Sequence, residues 1–96
     1  MPRKISTDHP GQILETRYIK PHQLTITEVA SALGIARKNL YAVIKGDYAI
    51  SIDMAFKLSK AFDTTPEYWL KAQLNYDLAK GYATGRKLKV KRLIKR

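Results

Sequence analysis

Apolar residues recur at helical spacing in five segments of the chain, whereas no segment before residue 86 alternates as a strand would. The predicted helices cover residues 11 to about 19, 25–33, 37–45, 51 to about 62, and 66 to about 81. Each helix has one apolar side, which in the fourth consists of Met54, Ala55, Leu58, Ala61 and Phe62. Such helices are stable when their apolar sides pack together. The pattern therefore predicts an all-α domain with a small shared core.

The second predicted helix carries a recognisable signal at each of its ends. Thr25 and Glu28 have the spacing of a capping box, in which each side chain accepts a hydrogen bond from a backbone N–H of the first turn. Gly34 stands where a residue in the left-handed conformation ends a helix at little cost. A tight turn should then lead directly into the third helix.

The third predicted helix separates an apolar side from a basic start. Leu40, Val43 and Ile44 fall on one face, while Arg37 and Asn39 lie in the first turn. Arginine reads guanine and asparagine reads adenine through paired hydrogen bonds. Two short helices joined by a turn that contains glycine form a helix-turn-helix, although a plain helical hairpin shows the same pattern. The basic start of the third helix favours DNA binding over that plainer interpretation.

The predicted DNA contacts lie on the outer side of this motif. Base contacts are expected from Arg37, Lys38, Asn39 and Tyr41. Phosphate contacts are expected from Lys45 and Tyr48, although an exposed loop tyrosine without a role would look the same. Thr25 and Thr27, at the start of the motif's first helix, complete the set of candidate contacts.

The fifth predicted helix has a strong start and an aromatic first turn. Its start combines a capping threonine, a proline and an acid at residues 65–67. Large apolar and aromatic side chains dominate both cores and protein interfaces. The sequence leaves these two roles open for this helix, and we expect a homodimer interface formed by Trp69, Leu70, Gln73 and Leu74.

The charge of this 96-residue chain, +10 in total, is concentrated at its C-terminal end. Residues 80–96 contain eight lysines and arginines and no acid, so residues 1–79 carry a net charge of only +2. A basic tail suits a polyphosphate partner, because bound phosphates release their counterions. A solubility tail or a binding segment for an acidic protein would have the same composition. Its secondary structure stays open between coil, short strand and helix.

Several functional classes find no support in the sequence. No apolar run approaches the ~20 residues that span a bilayer, and the N-terminal segment lacks the apolar stretch of a secretory signal. We therefore expect a cytoplasmic protein with no membrane contact. The chain has no cysteine, and its two histidines, His9 and His22, show no metal-binding or triad-like grouping. The eight acids are scattered, so we expect no catalytic residue, no metal, no cofactor and no enzymatic activity.

The motifs of residues 9–79 resemble those of the HigA family of antitoxins, within the Cro/repressor-like helix-turn-helix class. The matching segments are HPGQIL (9–14), TEVA (27–30), LGI (33–35), RKNL (37–40), IKG (44–46) and PEYWL (66–70). Phage repressors share the helix-turn-helix part, so the narrower resemblance comes from Trp69 and Leu70 followed by Gln73, Tyr76 and Asp77. Three features differ from the family pattern: Ile26 replaces a phosphate-contacting glutamine, Ala36 replaces a capping serine or threonine, and the tail is unusually basic.

The resemblance implies a five-helix, lambda-repressor-like domain over residues 9–79, with the motif at about 25–45 and the basic tail at 80–96. It also implies a dimeric antitoxin that binds operator DNA, represses its own operon and neutralises a HigB-like mRNA endonuclease toxin. The toxin partner rests on the resemblance alone. A stand-alone phage-type repressor and, from another class, a basic RNA-binding or nuclease protein are the alternatives.

Overall fold

The computed structural model describes residues 8–84 and 88–94, and it contains five helices in the order predicted. Helix α1 spans Pro10–Leu14 and continues as a π-helical turn over Glu15–Ile19. The others are α2, Ile26–Leu33; α3, Arg37–Ile44; α4, Ile52–Phe62; and α5, Pro66–Ala83. No strand occurs in the two described ranges, so the all-α fold class is confirmed.

Side-chain caps set the starts of four of these helices, by His9 at α1, Thr25 at α2, Ser51 at α4 and Thr65 at α5. The capping box of α2 is present: the Glu28 N–H donates to Thr25 Oγ1 at 3.0 Å, and the Thr25 N–H donates to Glu28 Oε1 at 2.8 Å. Ser51 and Thr65 accept in the same way from the third residue of α4 and α5. Gly34 ends α2 with a φ of 70°, as predicted. Local capping chemistry therefore explains most helix boundaries.

The core lies where the five helices converge, and Trp69 is completely buried in it. The Trp69 ring packs against Tyr18 at 5.4 Å and Tyr68 at 5.0 Å between ring centroids. Its indole N–H donates to Thr64 Oγ1 at 2.7 Å, which satisfies the polar edge of a buried ring. The remaining buried apolar residues are Leu14, Ile19, Val29, Ala30, Leu33, Leu40, Val43, Ile50, Ala55 and Leu58.

Two local details differ from the sequence prediction. The first helix widens into a π turn, in which Lys20 N–H donates to Glu15 O at 3.0 Å. This turn places Leu14 and Ile19, five residues apart, on the same buried side. Ala61, on the predicted apolar side of α4, is exposed and borders a surface groove of about 280 Å³ between α2 and α4. Ser59 is buried on that helix instead, with its hydroxyl donating to Phe56 O.

The predicted tail begins inside α5, and its described residues 88–94 have neither helix nor strand. Helix α5 runs past residue 79 and ends at Ala83. Residues 88–94 are exposed, and the side chains of Leu88, Val90, Leu93 and Ile94 keep 69–89% of their surface accessible. Arg86, Lys87, Lys95 and Arg96 of the predicted basic tail lie outside the described residues, as does the N-terminal segment 1–7.

Candidate DNA-binding surface

Helix α3 is anchored on one side and open on the other. Leu40 and Val43 are buried in the core. Arg37, Lys38 and Asn39 are exposed in the first turn, and Tyr41 keeps 51% of its surface one turn further along. The four predicted base contacts are therefore all accessible in the first half of α3. Their contacts with DNA stay predictions.

The start of α3 lacks the side-chain cap that α2, α4 and α5 have. Ala36 adopts the extended conformation of a capping residue, with φ −71° and ψ 146°, but it offers only its carbonyl, which accepts from Asn39 and Leu40. The first N–H groups of a helix carry positive partial charge and suit phosphate oxygens. Next to Arg37 and Lys38, this helix start is electrostatically favourable for a DNA backbone.

The backbone of α1 lies in close contact with the backbone of α3. A side-chain carbon at Gly11 would overlap the backbone carbonyl of Val43 and press on Ile44. The start of α1 therefore rests directly on the last turn of α3, which a larger residue at position 11 would prevent. Gly11 is buried accordingly.

The 46–50 loop, which follows α3, carries the predicted phosphate contact Tyr48. Gly46 turns the chain with a φ of 85°. The N–H groups of Asp47 and Tyr48 both donate to the carbonyl of Ala42, at 2.8 and 3.2 Å. The loop is thus folded back on α3, and the Tyr48 side chain is 51% exposed. Lys45 is exposed just before it, and Thr25 and Thr27 are exposed at the start of α2.

Gln73 fastens the far end of the 46–50 loop to α5. Its Oε1 accepts from the Ile50 N–H at 2.8 Å, and its Nε2 donates to Asp77 Oδ1 at 3.0 Å. This buried glutamine therefore satisfies a buried backbone donor, as buried polar groups must. The sequence spacing indicates this burial, because Gln73 lies one helical turn after Trp69 and so on the same side of α5.

The residues predicted for the dimer interface fall into two groups. Trp69 and Gln73 are buried inside the protomer, with 0% and 8% of their surface exposed. Leu70 is half-buried, whereas Leu74 keeps 53% of its surface exposed. Leu78, one turn after Leu74, is 44% exposed. The accessible part of the predicted interface is thus its outer edge on α5.

His9 has a structural place that the sequence analysis did not assign. It is buried, and its Nδ1 accepts from the Gly11 N–H at 2.9 Å, which caps α1. The ring also lies edge-on to Tyr76, with 4.9 Å between centroids. Burial lowers the pKa of His9, Lys80 adds to the lowering, and Asp77 and the Tyr48 backbone oppose it. A histidine directly before Pro-Gly at a helix start was the available sequence signal.

Other classes of site find little support in the described ranges. Within them, no group of three or more histidine, cysteine or acidic side chains could hold a metal ion. Among the same residues, no helix combines the length and apolar character needed to cross a membrane.

The chain belongs to the helix-turn-helix family, whose model (HTH_3) matches residues 17–69. Among its relatives, the HTH-type transcriptional regulator YbaQ of Escherichia coli is 41% identical over 69 residues, or 72% of this chain. The match spans 61% of YbaQ, so the chain covers less than two thirds of that relative.

Within this family, the solved structures similar to this chain include antitoxins. One neighbour is an addiction module antidote protein of the HigA family from Coxiella burnetii, 31% identical with a TM-score of 0.78. The similarity covers 84% of this chain and 88% of that one. Antitoxin GraA, solved in complex with its operator, is also 31% identical with a TM-score of 0.78 and is matched over 99% of both chains. The resemblance to HigA antitoxins is thereby confirmed.

Proposed function

We propose that this chain is an antitoxin that binds an operator through α3 and the 46–50 loop. The observation that carries the proposal is the exposed Arg37, Lys38 and Asn39 turn on a helix whose other side is buried. A helix held in this way can present side chains to base edges in the major groove. The operator complex of the similar antitoxin GraA supports the same use of this fold.

Base reading is tested by comparing operator and random DNA. The operator would be sought first in the promoter of the protein's own gene, because we propose that the protein represses its own operon. Asn39→Ala or Arg37→Ala should weaken operator binding by roughly 1–3 kcal/mol and random-DNA binding little. Lys45→Ala should weaken both, because a phosphate contact carries no sequence information. Equal losses on both DNAs for Asn39→Ala would remove its base-reading role.

We infer that the operator-binding form is a two-fold dimer, with the exposed edge of α5 as part of its interface. Leu74 and Leu78 supply accessible apolar surface there. The half-site centres of a pseudo-palindromic operator should lie about 34 Å apart, or a multiple, so that both copies of α3 face the same side of the duplex. Leu74→Asp should give a monomer with weak operator binding. Light scattering that finds a wild-type monomer at micromolar concentration would contradict the dimer.

The antitoxin part of the proposal concerns a protein partner, a HigB-like mRNA endonuclease. It is supported by the similarity to HigA-family and GraA antitoxins. The chain should form a stable complex with a toxin encoded next to its gene, and co-expression should restore growth. Operator binding without such a partner would favour the stand-alone repressor, so the two arms of the experiment separate the two hypotheses.

A further inference from the structure

The 46–50 loop, which follows α3 in the chain, contacts three helices: α3 itself, α5 and the start of α1. Its first part hydrogen-bonds Ala42 on α3, and its last residue, Ile50, is held by Gln73 on α5. The third neighbour is His9 at the start of α1, whose ring lies beside the loop at Gly46: a side-chain carbon added there would be 3.6 Å from the ring.

The hydrogen bond at Nδ1 fixes the protonation of the His9 ring. Since Nδ1 accepts from Gly11, the neutral ring carries its proton on Nε2. The imidazole therefore caps α1 while its ring lies beside Gly46 of the loop. The start of α1 itself lies against α3 at Val43, so His9 connects the support of α3 with the loop that follows it.

We propose that His9 is a positioning residue for DNA binding, whose neutral imidazole ties the 46–50 loop to α1 and so places Tyr48. Holding a contact loop in its bound conformation lowers the entropic cost of association. The inference rests on the proposed operator binding and adds a residue that does not itself face the DNA.

The surroundings of His9 make the neutral ring the functional form. A proton on Nδ1 would remove the lone pair that caps α1 and would turn the two donors, Nδ1–H and Gly11 N–H, toward each other. The charged and titratable groups around the ring are Tyr76, Asp77 and Lys80 on α5, Tyr48 in the loop, and Asp8, which precedes His9 in the chain. Only Asp77 among the side chains near the ring opposes the lowering of its pKa.

Two substitutions separate the role in the loop from the role in the helix cap. Asparagine is a good capping residue, so His9→Asn should keep the hydrogen bond to Gly11 but lacks the ring that lies beside the loop. We expect near-wild-type thermal stability, faster hydrogen exchange of the Ile50 amide, and operator binding about fivefold weaker, which corresponds to about 1 kcal/mol. His9→Ala should abolish both roles and also unfold at lower temperature. His22→Asn is the matched control, because His22 is exposed and distant from the loop in sequence.

The pH profile of operator affinity supplies a second readout. The pKa of His9 in the folded protein is below its ordinary value of 6.5. The neutral form therefore predominates at pH 6.5 and above, and operator affinity should fall as the pH drops through the lower folded-state value. Wild type and His22→Asn should share this fall, whereas His9→Asn should lack it.

The proposal is overturned if His9→Asn keeps wild-type operator affinity and Ile50 exchange, or if the fall in affinity persists in that variant. Exchange of the Ile50 amide needs no DNA. If wild type binds no operator, the proposed function fails at that step, while the exchange rates still decide whether His9 holds the loop.

Discussion

Two basic regions of this protein, the α3–loop surface (residues 37–50) and the tail (residues 88–94), are built in opposite ways. The α3–loop surface carries its exposed side chains on a backbone that is packed or hydrogen-bonded to α1, α2 and α5. The second has Lys89, Lys91 and Arg92 on an exposed segment without helix or strand. Reading a base needs side chains held at fixed positions, whereas attraction to phosphates needs only charge nearby. We therefore propose that sequence preference lies in the α3–loop surface and that the tail contributes only electrostatic attraction.

The largest expected effect comes from removing the support of α3. Gly11→Ala should destabilise the fold by about 3 kcal/mol, because the new methyl group overlaps the Val43 backbone and neither side can yield cheaply. Thermal unfolding measures this loss. Gly81→Ala is the control: no atom lies within 4 Å of the added carbon, so this helical position should gain about 0.5–1 kcal/mol. Equal stability of both variants would refute the close contact of α1 with α3.

A smaller effect is expected from freeing the far end of the loop. Gln73→Met keeps the side-chain length but leaves the buried Ile50 N–H without its acceptor, at a cost of about 1–3 kcal/mol. The exposed Gln12→Met should change stability by less than about 0.5 kcal/mol. Denaturant unfolding compares the two. If Gln73 acted only in a dimer interface, its substitution would lower the dimer's stability but leave the exchange of the Ile50 amide unchanged.

A gain in stability should follow from capping α3. Position 36 already has the extended backbone of a capping residue, so Ala36→Ser should stabilise the protein by about 1 kcal/mol. The serine hydroxyl would, however, occupy an N–H group that is otherwise available to a phosphate. We therefore expect a higher unfolding temperature without tighter operator binding. An unchanged unfolding temperature would show that the start of α3 is already satisfied.

The smallest effect at physiological salt is expected from the tail. Replacing Lys89, Lys91 and Arg92 with glutamine should reduce the salt dependence of log affinity by about 0.9 for each phosphate that the tail no longer neutralises. The ratio of operator to random-DNA affinity should stay the same, because the tail reads no bases. Identical salt slopes would remove the tail from DNA binding and favour a partner-protein role, for which its exposed Leu88, Val90, Leu93 and Ile94 offer apolar contacts.

The sequence by itself determined the features that depend on neighbours within about one helical turn. The capping box of Thr25 and Glu28, the left-handed Gly34 and the missing cap at Ala36 all involve residues no more than four positions apart, and all are as predicted. The apolar side of α3 follows from the same short-range periodicity.

Only the tertiary structure decided what the long-range partners are. Gln73 and Ile50 are 23 positions apart, and His9 meets Tyr48 and Tyr76 from still further away along the chain. Sequence periodicity places Trp69 and Gln73 on one side of α5 but cannot say whether that side meets the protomer's own core or a second copy, since both are apolar environments. The π turn and the exposure of Ala61 likewise depend on how closely whole helices approach, which no local pattern specifies.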